Sequence, residues 1–64
     1  MITENGMQFL RDLLKDYTAE HLASEAVGVT ADEIRLAVNG GDEVELPGRA
    51  WMAISEIIQG YSEE

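Results

Sequence analysis

The stretch Thr18–Gly40, TAEHLASEAVGVTADEIRLAVNG, decides the fold. Its second half is the best-marked element. Thr30 and Glu33 have the S/T-x-x-E spacing of a capping box, in which hydroxyl and carboxylate satisfy reciprocal backbone donors. Ile34, Ala37 and Val38 then recur at helical spacing and face inward, and Asn39-Gly40-Gly41 stops the helix, which predicts a helix over 31–38. In the first half, Thr18 is an N-cap and Glu20 lies early in the helix, where the dipole favours an acid. Leu22, Ala23 and Ala26 or Val27 form the inner stripe, and Gly28 closes a helix over 19–27. Two helices meet at Gly28-Val29-Thr30. A glycine lets the second leave steeply, and Val29 plugs the gap between them.

Working outward, Met7, Leu10, Leu13, Leu14 and Tyr17 make the apolar side of a first helix over 4–16, with Arg11, Asp12 and Lys15 opposite. Gly6 weakens its first turn by roughly 1 kcal/mol relative to alanine, so its start is expected to fray. Asp42-Glu43-Val44-Glu45 reads as a loop. Pro47 then opens a fourth helix over 47–59, because its missing N–H costs nothing there, and Gly60 ends it. Ala50, Trp51, Ile54, Ile57, Ile58 and Tyr61 give that helix an apolar side. Two readings stand for Trp51 and the isoleucines: they fill the core of the domain, or part of this helix, with Tyr61, forms a dimer or partner interface. No alternating strand pattern or interdomain linker interrupts the chain. The expected fold is all-α, a compact four-helix domain spanning residues 1–64 as one unit.

The segment 18–40 resembles the helix-turn-helix of the lambda-repressor/Cro-like (XRE-type) family. Thr18 lies at the cap of the first motif helix, Ala23 and Ser24 at its small or apolar positions, and Val27 at the apolar place before the turn. Val29 and Thr30 match the "GVS/GVT" corner, Ile34 the buried aliphatic place, and Asn39-Gly40 the closing "NG". Leu46-Pro47 and the Trp51/Ile54/Ile57/Ile58 helix look like the family's apolar closing helix. The resemblance covers about two thirds of the chain. It implies a helix-turn-helix fold and, in its ordinary form, DNA reading by the exposed side of the second motif helix.

The departures fall on that reading side. Family members often carry a glutamine early in the first motif helix to hold a phosphate, and Ala19 stands there. The exposed positions of the second motif helix are Ala31, Asp32, Arg35 and Leu36, of which only Arg35 suits a bidentate guanine contact. Leu36 beside Ala31 makes a small apolar spot rimmed by Asp32, Glu33 and Arg35. The loop beyond carries Asp42, Glu43 and Glu45, where an approach to phosphates would call for bases.

Charge points the same way. Thirteen acids against four bases give a net charge of −9. The excess rises along the chain, −1 over 1–17, −3 over 18–40 and −5 over 41–64. Duplex affinity rests largely on phosphate neutralisation, and this field opposes it. The same field attracts a basic protein surface.

Other chemistry finds little support. There is no cysteine, so disulfides and thiolate metal sites are excluded. His21, the single histidine, is expected at the surface, and Ser24 and Ser55 lack histidine–acid partners. Asp42, Glu43 and Glu45 lack calcium-loop spacing, and the acids after Gly40-Gly41 would repel a phosphate. No apolar run approaches the roughly 20 residues that span a bilayer, and Met1-Ile2-Thr3-Glu4 opens no basic, apolar signal region.

The expectation is a cytoplasmic, non-enzymatic regulator without cofactor or metal. It would bind another protein, its carboxylates facing a basic surface of that partner or of a nucleic-acid-binding factor that it antagonises as a DNA mimic, in the manner of a phage-encoded modulator. Asp32, Arg35, Leu36, Asp42, Glu43 and Glu45 would form its contact surface. The alternative is a Cro-like transcriptional regulator reading DNA through Thr30, Ala31, Asp32, Arg35 and Leu36. That reading needs a homodimer, whose symmetry doubles the few favourable contacts.

Overall fold

Four helices follow one another in chain order in the computed structural model, which describes residues 2–40 and 43–63: α1 Glu4–Asp16, α2 Ala19–Ser24, α3 Ala31–Gly40 and α4 Gly48–Ser62. No strand occurs among the described residues. The radius of gyration is 10.2 Å, close to the ~10.7 Å expected of a compact chain of this length. No helix among the described residues is long and apolar enough to cross a membrane.

α1 begins and ends where its apolar pattern does. Thr3 caps it, its hydroxyl accepting from the Gly6 N–H at 3.1 Å, so the first turn has an anchor that offsets the glycine. Met7, Leu10 and Leu13 are buried and Leu14 is half-buried. Tyr17 has left the helix and is exposed, its ring stacked on His21 at 5.3 Å and tilted against Tyr61 at 5.1 Å.

α2 is shorter than the expected 19–27. Thr18 caps it through the His21 N–H at 3.0 Å. At its end Glu25 and Ala26 bond back three residues, to Leu22 and Ala23, and the Ser24 hydroxyl donates to the His21 carbonyl at 2.6 Å. That local competition closes the helix at Ser24. Of Ala26 and Val27, either of which could complete the inner stripe, Val27 is therefore the one left outside. It stands 96% exposed, and Ala26 packs against the core instead. Gly28, at φ 109°, makes the turn, and a Cβ there would lie 3.3 Å from the Arg49 carbonyl oxygen. Val29 is buried, as its plug position demands.

α3 and α4 both outrun their expected ends. α3 continues through Asn39 and Gly40 instead of stopping at 38. Val44 folds back so close to Gly40 that a Cβ there would sit 1.9 Å from its Cγ2, so Gly40 serves close packing rather than a stop. Gly41 and Asp42 lie outside the described residues. Pro47 is the cap residue rather than the first helical one, its carbonyl accepting from Ala50 and Trp51. α4 passes Gly60 and ends at Ser62, where the Tyr61 hydroxyl ties the last turn to Glu25 at 2.6 Å.

Among the described residues, twelve form one continuous core, with Leu10, Leu22, Ile34 and Ile54 as its largest fully buried side chains. Small residues close the helix contacts: Ala19, Ala37, Ala50 and Ala53 are all buried, so backbones approach where they pack. Trp51, Ile58 and Tyr61 are half-buried against the core rather than within it. α3 packs on both α1 and α2, and α4 on α1. This leaves the side of α3 carrying Asp32, Arg35 and Leu36 turned outward.

Candidate functional site: the outer face of α3

The outer face of α3 starts from a closed cap. The Glu33 N–H donates to the Thr30 hydroxyl at 3.2 Å, and the Thr30 N–H donates to the Glu33 carboxylate at 2.9 Å. The capping box of the sequence is thus formed. Its consequence is chemical: an anion arriving at this helix end would find the Glu33 carboxylate already there.

Glu33 has a second engagement, with a partner sixteen residues away that no local spacing indicates. The Arg49 guanidinium, from α4, meets both of its carboxylate oxygens, at 3.1 and 3.2 Å, and also donates to the Gly28 carbonyl. The hydrogen bond from Arg49, supported by the Thr30 N–H, holds the Glu33 carboxyl below its ordinary value of 4.5.

Arg35 lies one turn along the exposed side. Its guanidinium donates to Asp32 at 2.9 Å and to Glu20 at the start of α2. The hydrogen bond to Glu20 raises the Arg35 pKa and lowers that of Glu20. The one cation able to read a base from this face therefore stands between two carboxylates of its own chain. Leu36 beside it is 53% exposed. An open groove runs under Arg35 between the end of α1 and the start of α2, lined by Leu14 to Glu20.

Of the residues singled out in the sequence, Asp32, Arg35 and Leu36 come together on one helix face. Thr30 spends its hydroxyl on the cap, and Ala31 is half-buried. Glu43 and Glu45 are exposed in the α3–α4 connection, while Asp42 lies outside the described residues. The remaining bases have acceptors as well. Arg11 donates to the Val38 carbonyl at 3.3 and 3.2 Å, and Lys15 pairs with Asp12 at 3.5 Å. All four cations of the chain are thus turned toward its own oxygens.

His21 is exposed, stacked on Tyr17 and 3.4 Å from Glu25. No group of three histidine, cysteine or carboxylate side chains suited to a metal ion occurs among the described residues. Comparison with protein-family models, with curated proteins and with solved structures finds no match to this chain.

Proposed function

We propose that this chain is a small, non-enzymatic regulatory protein on a lambda-repressor-like helix-turn-helix scaffold, and that it acts by binding a basic surface of another protein. The scaffold reading is supported by the glycine corner at Gly28, the buried Val29 and the Thr30–Glu33 capping box between α2 and α3. The observation that carries the function is the pairing of Arg35 with Glu20 and Asp32. A DNA-reading helix needs that guanidinium free for a base edge. Here a phosphate or base would have to displace two carboxylates from it, against a net charge of −9. A protein partner with lysines and arginines meets no such obstacle, and carboxylates such as Glu43 and Glu45 stand exposed for it. In the sharper form of the proposal, the basic surface is one that otherwise holds nucleic acid, and the protein is its antagonist.

A displacement assay tests this. Fluorescent duplex DNA is first bound to poly-lysine, and the protein is titrated in. The expected result is release of the duplex, weakened in the variant Asp32→Asn/Glu43→Gln/Glu45→Gln more than in Glu4→Gln/Asp12→Asn/Glu63→Gln, which removes equal charge elsewhere. Equal effects of the two variants would remove the α3 side from the mechanism. Binding of the duplex by the protein itself would overturn the proposal in favour of a Cro-like dimer.

A further inference from the structure

α4 and the α2–α3 connection lie side by side, tied at two points. At one end the Arg49 guanidinium donates to the Gly28 carbonyl, and at the other the Tyr61 hydroxyl donates to Glu25. At the Tyr61–Glu25 tie opens a groove of about 300 Å³, lined by Glu25, Glu56, Ile57, Gly60 and Tyr61. Glu56 and Gly60 stand on one face of α4 in its wall, and Met52 continues that face at four-residue spacing toward Arg49. Val27 adjoins Gly28 and Met52 lies one turn beyond Arg49, which places both near the Arg49 end. They are the two most exposed large apolar side chains among the described residues, at 96% and 68%.

Gly60 is unexplained by the chain itself. It stands inside a helix without a positive φ, and a Cβ there would meet nothing within 4 Å. Among the described residues nothing requires the missing side chain, and its absence leaves the groove wall flat where another chain could approach.

We infer that this strip docks a basic amphipathic segment of a partner protein. Its apolar side chains cover Val27 and Met52, and a lysine or arginine lays its stem along Ile57 and Gly60 with its charge between Glu25 and Glu56. The inference rests on the protein-binding reading above and supplies the chemistry of the partner. Charge complementarity selects the occupant. Glu56 has no ion pair among the described residues, and Glu25, which accepts from Tyr61 and faces His21, adds a second carboxylate at the opposite side. A second copy of the chain fits poorly, because it brings another −9 against the same carboxylates.

The test is a titration of the full-length, ¹⁵N-labelled chain with a synthetic amphipathic peptide of leucine and lysine. A peptide with glutamate in place of lysine serves as the control. Amide shifts are expected along residues 25–28 and 49–61, with the lysine peptide alone. Val27→Ser/Met52→Gln and Gly60→Trp, all at exposed positions, should each weaken binding about tenfold or more, with unchanged circular dichroism. Equal binding of the glutamate peptide overturns the charge assignment. Shifts centred on Leu36 or on Glu43 and Glu45 overturn the strip while leaving the protein-binding reading intact. So does an absence of shifts at low salt, or a response explained by self-association. Binding of duplex DNA in a parallel titration overturns the reading on which the inference rests.

Discussion

Arg49 on α4 and Glu33 on α3 are joined through two parallel hydrogen bonds, and the same guanidinium holds the carbonyl of Gly28. One side chain thus ties the fourth helix to both the turn and the capping box. The pair also sets a pH dependence. The Glu33 carboxyl is held low by the hydrogen bond from Arg49, then by the Thr30 N–H, so its ionised form is favoured in the folded state. Its contribution to stability is full above the ordinary value of 4.5 and fades as pH falls through the lower folded value.

Arg49→Ala should therefore melt below the wild type by an amount that is constant from neutral pH down to about 5 and shrinks under more acid conditions. Arg49→Lys should recover only part of the loss, since one ammonium cannot span both carboxylate oxygens. Thermal melts across the acid range measure this. A deficit that stays constant to the lowest pH would place the pair outside the stability of the fold.

Two glycines should respond in opposite directions to the same change. Gly28→Ala puts a side chain at φ 109° and against the Arg49 carbonyl, and should destabilise by at least ~1 kcal/mol. Gly60→Ala fills open space in a helix interior and should stabilise by up to ~1 kcal/mol. Urea unfolding of the two variants decides it, and the same sign for both would contradict the backbone account.

The core is small enough that a single cavity is costly. Ile34 is fully buried in α3 behind the candidate face. Ile34→Ala should cost ~2–5 kcal/mol, a large part of the stability of a domain this size. A urea midpoint close to that of the wild type would mean that neighbours collapse into the space.

If Glu20 and Asp32 are what keep Arg35 from nucleic acid, neutralising them should release it. Glu20→Gln/Asp32→Asn should gain salt-sensitive affinity for duplex DNA relative to the wild type, and adding Arg35→Ala should abolish the gain. Fluorescence anisotropy at low ionic strength follows both steps. A gain that survives Arg35→Ala would assign it to reduced charge alone.

Much of the fold was legible in the sequence, because local signals and periodicity agree. The Thr18 cap, the Thr30–Glu33 box and the spacing of Leu10, Leu22, Ile34 and Ile54 each announce a helix or its buried side. The errors gather at helix ends, where individual bonds and contacts around the last turn decide. Val27 was expected inside a helix that the Ser24 hydroxyl and three-residue backbone bonds close early. Gly40 and Gly60 were expected to stop helices, yet α3 runs through Gly40, against which Val44 packs, and α4 runs past Gly60 to bring Tyr61 onto Glu25.

The candidate face was legible in part. Asp32, Arg35 and Leu36 share one side because helical spacing puts them there. That Arg35 is clasped by Glu20 depends on the packing of α2 against α3, which no spacing within α3 encodes. Arg49 and Glu33 stand sixteen residues apart and carry no joint motif. Glu25, Glu56 and Tyr61 come together only because α4 runs past its glycine.

The most direct measurement is a low-salt titration of the wild-type protein with mixed-sequence duplex DNA, with its oligomeric state recorded alongside. The account predicts no binding at any ionic strength. Salt-sensitive binding at micromolar concentration by a dimer, lost on Arg35→Ala, would contradict it and assign the outer face of α3 to DNA.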